Sequence, residues 1–371
     1  MTAPDVASEP REHLWPLRSP SRRSVRRTLD RAGVPYRRCS SSKVAFRTAL
    51  AALDLAGSNV LLPAYLPPGI VEPLREFDLE PRYYGIGPDL TLDVADAEAR
   101  VDDETAAVMV VHYFGFPQPS FEAFADLAER HDLALVDNAS HSVLSRHEGR
   151  LLGTRGDVGF SSLHKTLPIP DGAVLYFNGP RVDPATRYPL MGTRERYTAA
   201  DVRHVAGVLA ARTGRLGAAV DSLAKAASNG GAPAAPPSAD PVGEYQGVKR
   251  RLSRLSALAL TRIDAVDVVA TRRAVFARWL HHLAPDDRFT PVFERLPAGV
   301  CPWYFPVRAA DPGAVVDALS EFVTVFTWPT LPADVSRAFR VEHDLADSLV
   351  VLPVNQDMTP ADVDALAARL P

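Results

Sequence analysis

Between Ser41 and Asp137 the chain switches repeatedly between helix-like and strand-like patterning, and this alternation restricts the fold more than any other feature. Lys43 to Leu55 carries Ala and Leu at helical spacing. Asn59 to Leu62 is a short apolar strand that runs into the turn-rich stretch Pro63 to Gly69. Ala106 to His112 (AAVMVVH) is one continuous apolar run. Such a run suits a strand covered on both faces, because a strand with one wet face alternates polar and apolar residues. Phe121 to His131 then reads as a helix, and Leu133 to Val136 as another buried strand closing on Asp137. Strand–helix–strand alternation predicts a mainly parallel sheet, since each parallel pairing needs a crossover long enough for a helix.

The sharpest break in composition is 226–243 (AASNGGAPAAPPSADPVG), rich in Ala, Pro, Gly and Ser. It predicts a linker or mobile loop over 226–245. Around it we expect an N-terminal arm (1–38), a large domain (39–225) and a C-terminal small domain (246–371). Within the last, 248–283 reads as one or two long helices and 302–370 as an α+β unit. A length of 371 residues suits a large domain plus a smaller one. In the arm, Arg22, Arg23, Arg26 and Arg27 recur at helical spacing around Val25 and Leu29. A patch for an anionic partner and a solvated helix face both fit. We favour the second, because no aromatic residue interleaves the arginines.

With 41 basic and 45 acidic residues the net charge is −4, so no global field recruits nucleic acid or a membrane surface. No apolar run approaches the ~18 residues of a membrane span, and Met1 to Pro20 lacks the apolar core of a secretory signal. Cys39 and Cys301 lie far apart, without metal-ligand spacing. We therefore expect a cytoplasmic protein with no metal.

In parallel α/β sheets, ligands bind at the carboxyl ends of the strands. Asp137 stands at such an end, where a carboxylate can hold a cationic ring nitrogen, ligate a metal or cap a turn. Twenty-eight residues on, Ser161-Ser162-Leu163-His164-Lys165 follows the apolar stretch Val158 to Phe160. A lysine amine there can condense with an aldehyde while neighbouring hydroxyls bind a phosphate. Each feature alone is weak. In this order and spacing they match how fold-type I enzymes hold pyridoxal 5'-phosphate, with Asp on the pyridinium nitrogen and Lys as Schiff-base partner and general base. Trp303, Tyr304, Phe305, Trp328 and Pro329 form an aromatic group that reads as core or, less favoured, as a substrate-facing wall.

From about residue 40 to the C-terminus the chain resembles the DegT–DnrJ–StrS aminotransferases, which mostly act on nucleotide-linked keto sugars. Ser41-Ser42-Lys43 and the helix after it resemble the family's phosphate-binding start, and Leu61 to Tyr65 its VPSY segment. Val111 to Pro117 (VHYFGFP) is similar to VHLYGQP, and Val136 to Ser140 (VDNAS) to EDAAQ. Gly153 to Lys165 resembles the GD-G-FSF-K run, Arg251 to Ala257 the RMSELQA helix, and Ser348 to Pro353 the closing LSLP stretch. The departures are specific: the family's Gln after the ring Asp is Ser140, with His141 next to it. Its Gly-Thr at the phosphate is Ser42-Lys43. Pro168 to Gly172 stands in place of GGEGG, and Lys249 falls where the family has a partner-subunit Asn.

The resemblance implies a large domain with a mainly parallel seven-stranded sheet and a small α+β domain. It implies an aminotransferase working as a homodimer, with an amino-acid donor such as glutamate and a keto acceptor. It further implies Lys165 and Asp137 in the roles above, with Ser41, Ser42, Lys43, Ser161, Ser162 and Lys249 toward the phosphate. Ser140 and His141 then lie toward the phenolic oxygen and Tyr65 toward the ring. Two alternatives stay open: a lyase, racemase or aldolase on the same scaffold, and a non-enzymatic pyridoxal-phosphate-binding or regulatory protein.

Overall fold

A computed structural model describes residues 12–53, 55, 57–182, 192–210 and 251–371. The 226–245 linker and Lys249 lie outside the described residues. Nine strands belong to the first half of the chain: β1 (Tyr36–Cys39), β2 (Asn59–Pro63), β3 (Glu80–Tyr84), β4 (Thr105–Val111), β5 (Ala134–Asn138), β6 (Arg146–His147), β7 (Arg150–Leu151), β8 (Val158–Ser162) and β9 (Ala173–Phe177). Seven of them form one sheet in the order β1-β9-β8-β5-β4-β2-β3. Pairings within β3-β2-β4-β5-β8 are parallel, and β9 runs antiparallel to both of its neighbours. The expected mainly parallel sheet of seven strands is what forms.

All seven residues of β4 are buried, as are all five of β5 and β8. That is the packing foreseen from the apolar runs, and each large aliphatic side chain so covered contributes about 1.5–3 kcal/mol. The helix Ser42–Leu53 covers one face, burying Val44, Phe46, Ala49 and Leu50, with Phe46 stacked on Phe160 at 5.5 Å. It starts where it does because Ser41 Oγ accepts the Val44 N–H at 3.3 Å, satisfying one of the donors a helix start leaves over. On the other face Trp15, Val25, Leu29, Val174, Tyr176 and the helix Arg254–Arg262 pack together. The arginine-bearing arm therefore docks on the sheet through Val25 and Leu29, while Arg26 pairs with Asp30 at 2.8 Å and Arg23 with Asp264 at 2.9 Å.

The last third carries four more strands: β10 (Phe289–Pro291), β11 (Tyr304–Ala309), β12 (Phe326–Thr327) and β13 (Leu349–Pro353). They form an antiparallel sheet in the order β10-β11-β13-β12. The 248–283 region resolves into the helices Arg254–Arg262 and Ala265–Leu283. Asp264 separates them: its carboxylate accepts the N–H groups of Val266 and Asp267 and so starts the second helix. That helix carries Val275, Phe276 and Trp279 into the same buried cluster as both sheets. Among the described residues, no helix is long and apolar enough to cross a membrane.

Candidate active site

Residues paired across a sheet point to the same face, and alternate residues along a strand share a face. Asp137 is paired with Val110 on one side and Gly159 on the other, and Gly159 with Tyr176. Ser161 therefore shares Asp137's face, whereas Ser162 and Phe160 point to the face covered by Ser42–Leu53. Ser162 is level with Ala173, and Ala173 with Cys39, which leads directly into Ser41 and Ser42. The two adjacent serines thus serve different neighbourhoods: Ser161 the carboxylate side, Ser162 the helix start.

Asp137 lies inside β5 rather than just past it, and it is fully buried. Its Oδ2 accepts the Arg155 N–H at 3.2 Å. His112 Nδ1 accepts the Gln118 N–H at 2.9 Å, which places the imidazole proton on Nε2. That Nε2 lies 2.9 Å from Asp137 Oδ1 but off the line a hydrogen bond needs, so Oδ1 has no well-formed partner. On the same face the buried Tyr176 hydroxyl is hydrogen-bonded to Ser161. Buried polar atoms normally find partners, so a carboxylate oxygen without a well-aligned one is a site for a polar ligand. Gly159 keeps the backbone close here, because a Cβ on it would sit 2.0 Å from the Gly153 carbonyl oxygen and 2.9 Å from that of Asp137.

Lys165 follows β8 in a loop tied down from two sides. Trp303 Nε1 donates to the Lys165 carbonyl at 2.9 Å, and Arg272 donates to the Thr166 carbonyl at 2.9 Å. The Lys165 amine stands over the Trp303 ring, 5.0 Å from its centre. Burial pushes its pKa down to about 8, because an ammonium loses its hydration there. His141 stacks on the same Trp303 ring, 3.9 Å from its centre, and its Nδ1 accepts the Phe114 N–H at 3.4 Å. Burial first, and the Lys165 charge second, hold His141 well below the usual imidazole range, so it is neutral at pH 7.

The other sequence-predicted residues divide. Ser41 and Ser42 stand at the helix start as expected. Lys43 Nζ lies 2.7 Å from Glu72 Oε2, so its charge is already matched. Ser140 is buried, with its N–H on Asn138 Oδ1 at 3.1 Å. Tyr65 is fully buried, with its hydroxyl donating to the Trp328 carbonyl and its ring 5.4 Å from Trp328. Trp303 thus borders Lys165, and Trp328 lies with its ring 5.3 Å from that of His141, so neither belongs only to the small domain's core.

Two residues that the sequence reading passed over matter most. His112 was the last letter of an apolar run, and a histidine closing a buried strand next to the Asp-bearing strand was the available signal. Arg272 falls at position 272 of a buried stripe made by Val268, Val275, Phe276, Trp279 and Leu283, a cation where the helical period demands an apolar residue.

A seven-stranded, mostly parallel sheet with a loop lysine and an enclosed carboxylate at its strand ends defines an aminotransferase-type α/β scaffold. The chain belongs to the DegT/DnrJ/EryC1/StrS aminotransferase family, whose sequence model matches residues 38–371. Among curated relatives, GDP-perosamine synthase of Vibrio cholerae is 27% identical over 143 residues, 38% of this chain and 39% of that protein. A putative L-glutamine:3-amino-2,3-dideoxy-scyllo-inosose aminotransferase of Micromonospora echinospora is 30% identical over 135 residues, 36% of this chain and 32% of that protein. The aligned part thus spans a third to two fifths of these relatives. In structure the chain is similar to Helicobacter pylori PseC, an aminotransferase involved in the biosynthesis of pseudoaminic acid (TM-score 0.66, 14% identity, 99% and 96% of the two chains). It is also similar to the aminotransferase TlmJ of Streptoalloteichus hindustanus (TM-score 0.65, 20% identity, 97% and 89%). At these identities the structural likeness establishes the fold. One further neighbour, the putative sugar aminotransferase Spr1654 of Streptococcus pneumoniae, was solved in its PMP form (TM-score 0.66, 14% identity, 99% and 96%).

Proposed function

We propose that the protein is a pyridoxal-phosphate-dependent aminotransferase that moves an amino group from an amino acid, glutamate in the first instance, to a keto substrate. The observation that carries this is the buried Asp137 carboxylate, whose Oδ1 has no well-aligned hydrogen bond, beside the loop that bears a lysine of lowered pKa. The residues fit the cofactor: a carboxylate oxygen for a pyridinium N–H, an amine for the aldehyde, and a helix start for the phosphate. Bound there, pyridoxal phosphate supplies an aldehyde for a Schiff base and a protonated ring that withdraws electrons from the substrate.

Asp137 holds the proton on the ring nitrogen, and the Arg155 N–H keeps that carboxylate in place. Lys165 gives the amine and, once free, moves the substrate's proton, a task suited to a group that titrates near neutral pH. Ser162, Ser41 and Ser42 take the phosphate, and in a homodimer Lys249 is the second subunit's contribution to it. Ser161 sits on the ring side, His141 and Ser140 toward the phenolic oxygen, and Tyr65 underpins the aromatic wall. The names of the relatives support a cyclic keto acceptor, such as a nucleotide-linked keto sugar or an inosose. Departures from the family at Ser140 and at Pro168 to Gly172 favour, as a second reading, another pyridoxal-phosphate reaction such as a lyase, racemase or aldolase. The test is the visible absorbance of the purified protein, before and after adding glutamate. We expect a Schiff-base band that glutamate converts to the amine form and that Lys165→Ala abolishes. A band that persists in the variant refutes the site, and a band that glutamate leaves unchanged refutes transamination from that donor.

A further inference from the structure

The arginines of the N-terminal arm are not spread over an open helix face. Val25 and Leu29 are buried, and in docking them the helix Val25–Asp30 and its flanks close a hollow of about 510 Å³ against Thr261 of the helix Arg254–Arg262. Arg22, Arg26, Arg27 and Arg31 all line it, and Asp30 is the only acid among its lining residues. That acid is already engaged: Asp30 accepts Arg26 Nε on its two oxygens, at 2.8 and 3.0 Å, and the Tyr36 hydroxyl at 2.5 Å. Arg23, outside the lining, is held by Asp264. The side chains of Arg22, Arg27 and Arg31 are exposed and have no acidic partner among the described residues. Other arginines of the surface, such as Arg47, Arg100 and Arg130, sit on carboxylates at 2.7–2.8 Å. A helix C-terminus favours one nearby cation. It does not account for several gathered around one concavity, where their like charges repel.

We propose that this hollow is a binding site for a diphosphate group, free or carried by a small nucleotide. Guanidinium forks pair with phosphate oxygens through two parallel hydrogen bonds, and clustered arginines neutralise a group that bears several charges. The volume lies within the range of ligand pockets, roughly 300–1,000 Å³. A nucleic-acid strand fits less well, because the arginines surround a concavity instead of forming a stripe, and none of the lining residues is aromatic, so no base can stack there. The lining shares no residue with the surroundings of Lys165, so the site is separate from the reacting groups and stands independently of the aminotransferase reading. The arm nevertheless reaches the segment just after Lys165, since Trp15 Nε1 donates to the Pro168 carbonyl at 3.0 Å.

The test titrates pyrophosphate by calorimetry into protein kept in excess pyridoxal phosphate, so that the cofactor's own phosphate site is filled. Pyrophosphate is expected to bind at least about tenfold more tightly than sulfate at equal ionic strength, and added salt is expected to weaken it. Arg22→Gln and Arg27→Gln, both at exposed positions, are each expected to weaken pyrophosphate at least about fivefold, the scale of one charge-assisted pair, with melting as in wild type. Arg130→Gln, whose arginine already pairs with Glu98, is expected to leave the affinity unchanged. ADP bound more tightly than pyrophosphate identifies a nucleotide as the carrier, and equal binding identifies the diphosphate alone; both support the site. Sulfate binding as tightly as pyrophosphate, affinity untouched in both arm variants, or an equal loss in Arg130→Gln overturns it. A single-stranded oligonucleotide that outcompetes pyrophosphate and is lost in the arm variants also overturns it, in favour of a nucleic-acid contact.

Discussion

Arg272→Met removes a guanidinium while keeping a chain of similar length, and the structure sets the cost. The wild-type side chain donates to four backbone carbonyls and to Gln356 Oε1, at 2.6–3.1 Å. A buried acceptor left without a partner costs about 1–3 kcal/mol. An adjoining cavity lets water reach some of these oxygens, and removing a buried cation relieves its desolvation, so the low end applies. We expect a loss of about 4 kcal/mol. Arg272→Lys, with at most three donors and no fork, is expected to lose about half as much. Urea unfolding followed by fluorescence reads the midpoint, and calorimetry the transition temperature. The Thr166 carbonyl is one of the five acceptors, so the variant is also expected to loosen the Lys165 loop and weaken cofactor retention at temperatures where the protein is still folded. A stability within about 0.5 kcal/mol of wild type, the usual scale of a neutral surface change, refutes the bracing role.

Asp137→Asn is expected to retain pyridoxal phosphate yet lose turnover by orders of magnitude, because the ring nitrogen no longer keeps its proton; near-normal turnover removes Asp137 from the role. The rate at which the apo-protein takes up pyridoxal phosphate is expected to rise with pH with a midpoint near 8 and to level off about one unit higher, since only the unprotonated Lys165 amine attacks and burial lowers its pKa to about 8. A midpoint near the ordinary lysine value of about 10.4 refutes the lowered pKa. Gly159→Ala drives a methyl to 2.0 Å from the Gly153 carbonyl oxygen and is expected to cost at least about 1–3 kcal/mol as the Gly153 turn is forced off β8. A melting temperature equal to wild type means the strands yield without penalty.

Local pattern was enough for the scaffold. Continuous apolar runs announced β4 and β5, helical spacing announced Ser42–Leu53 and Phe121–Arg130, and a strand-end Asp before a serine-flanked Lys pointed to the chemistry. These features are legible because they repeat with the period of the element or follow one another closely in the chain. Boundaries moved where hydrogen bonds past the pattern extended an element. Asp137 is inside β5 because Asn138 still pairs with Val111 and Phe160. What the linear order could not carry were relations between distant segments. Whether Ser161 or Ser162 faces the carboxylate depends on the register of β8 against its neighbours, and one step of register exchanges their faces. That Glu72, twenty-nine residues on, lies 2.7 Å from the Lys43 amine could not be read from the chain order. Nothing in the linear order marked Arg272, and only packing of the small domain onto the Lys165 loop gathered four carbonyls around it. Propensity acts between near neighbours in sequence, whereas burial and charge matching act between whatever the folded chain brings together.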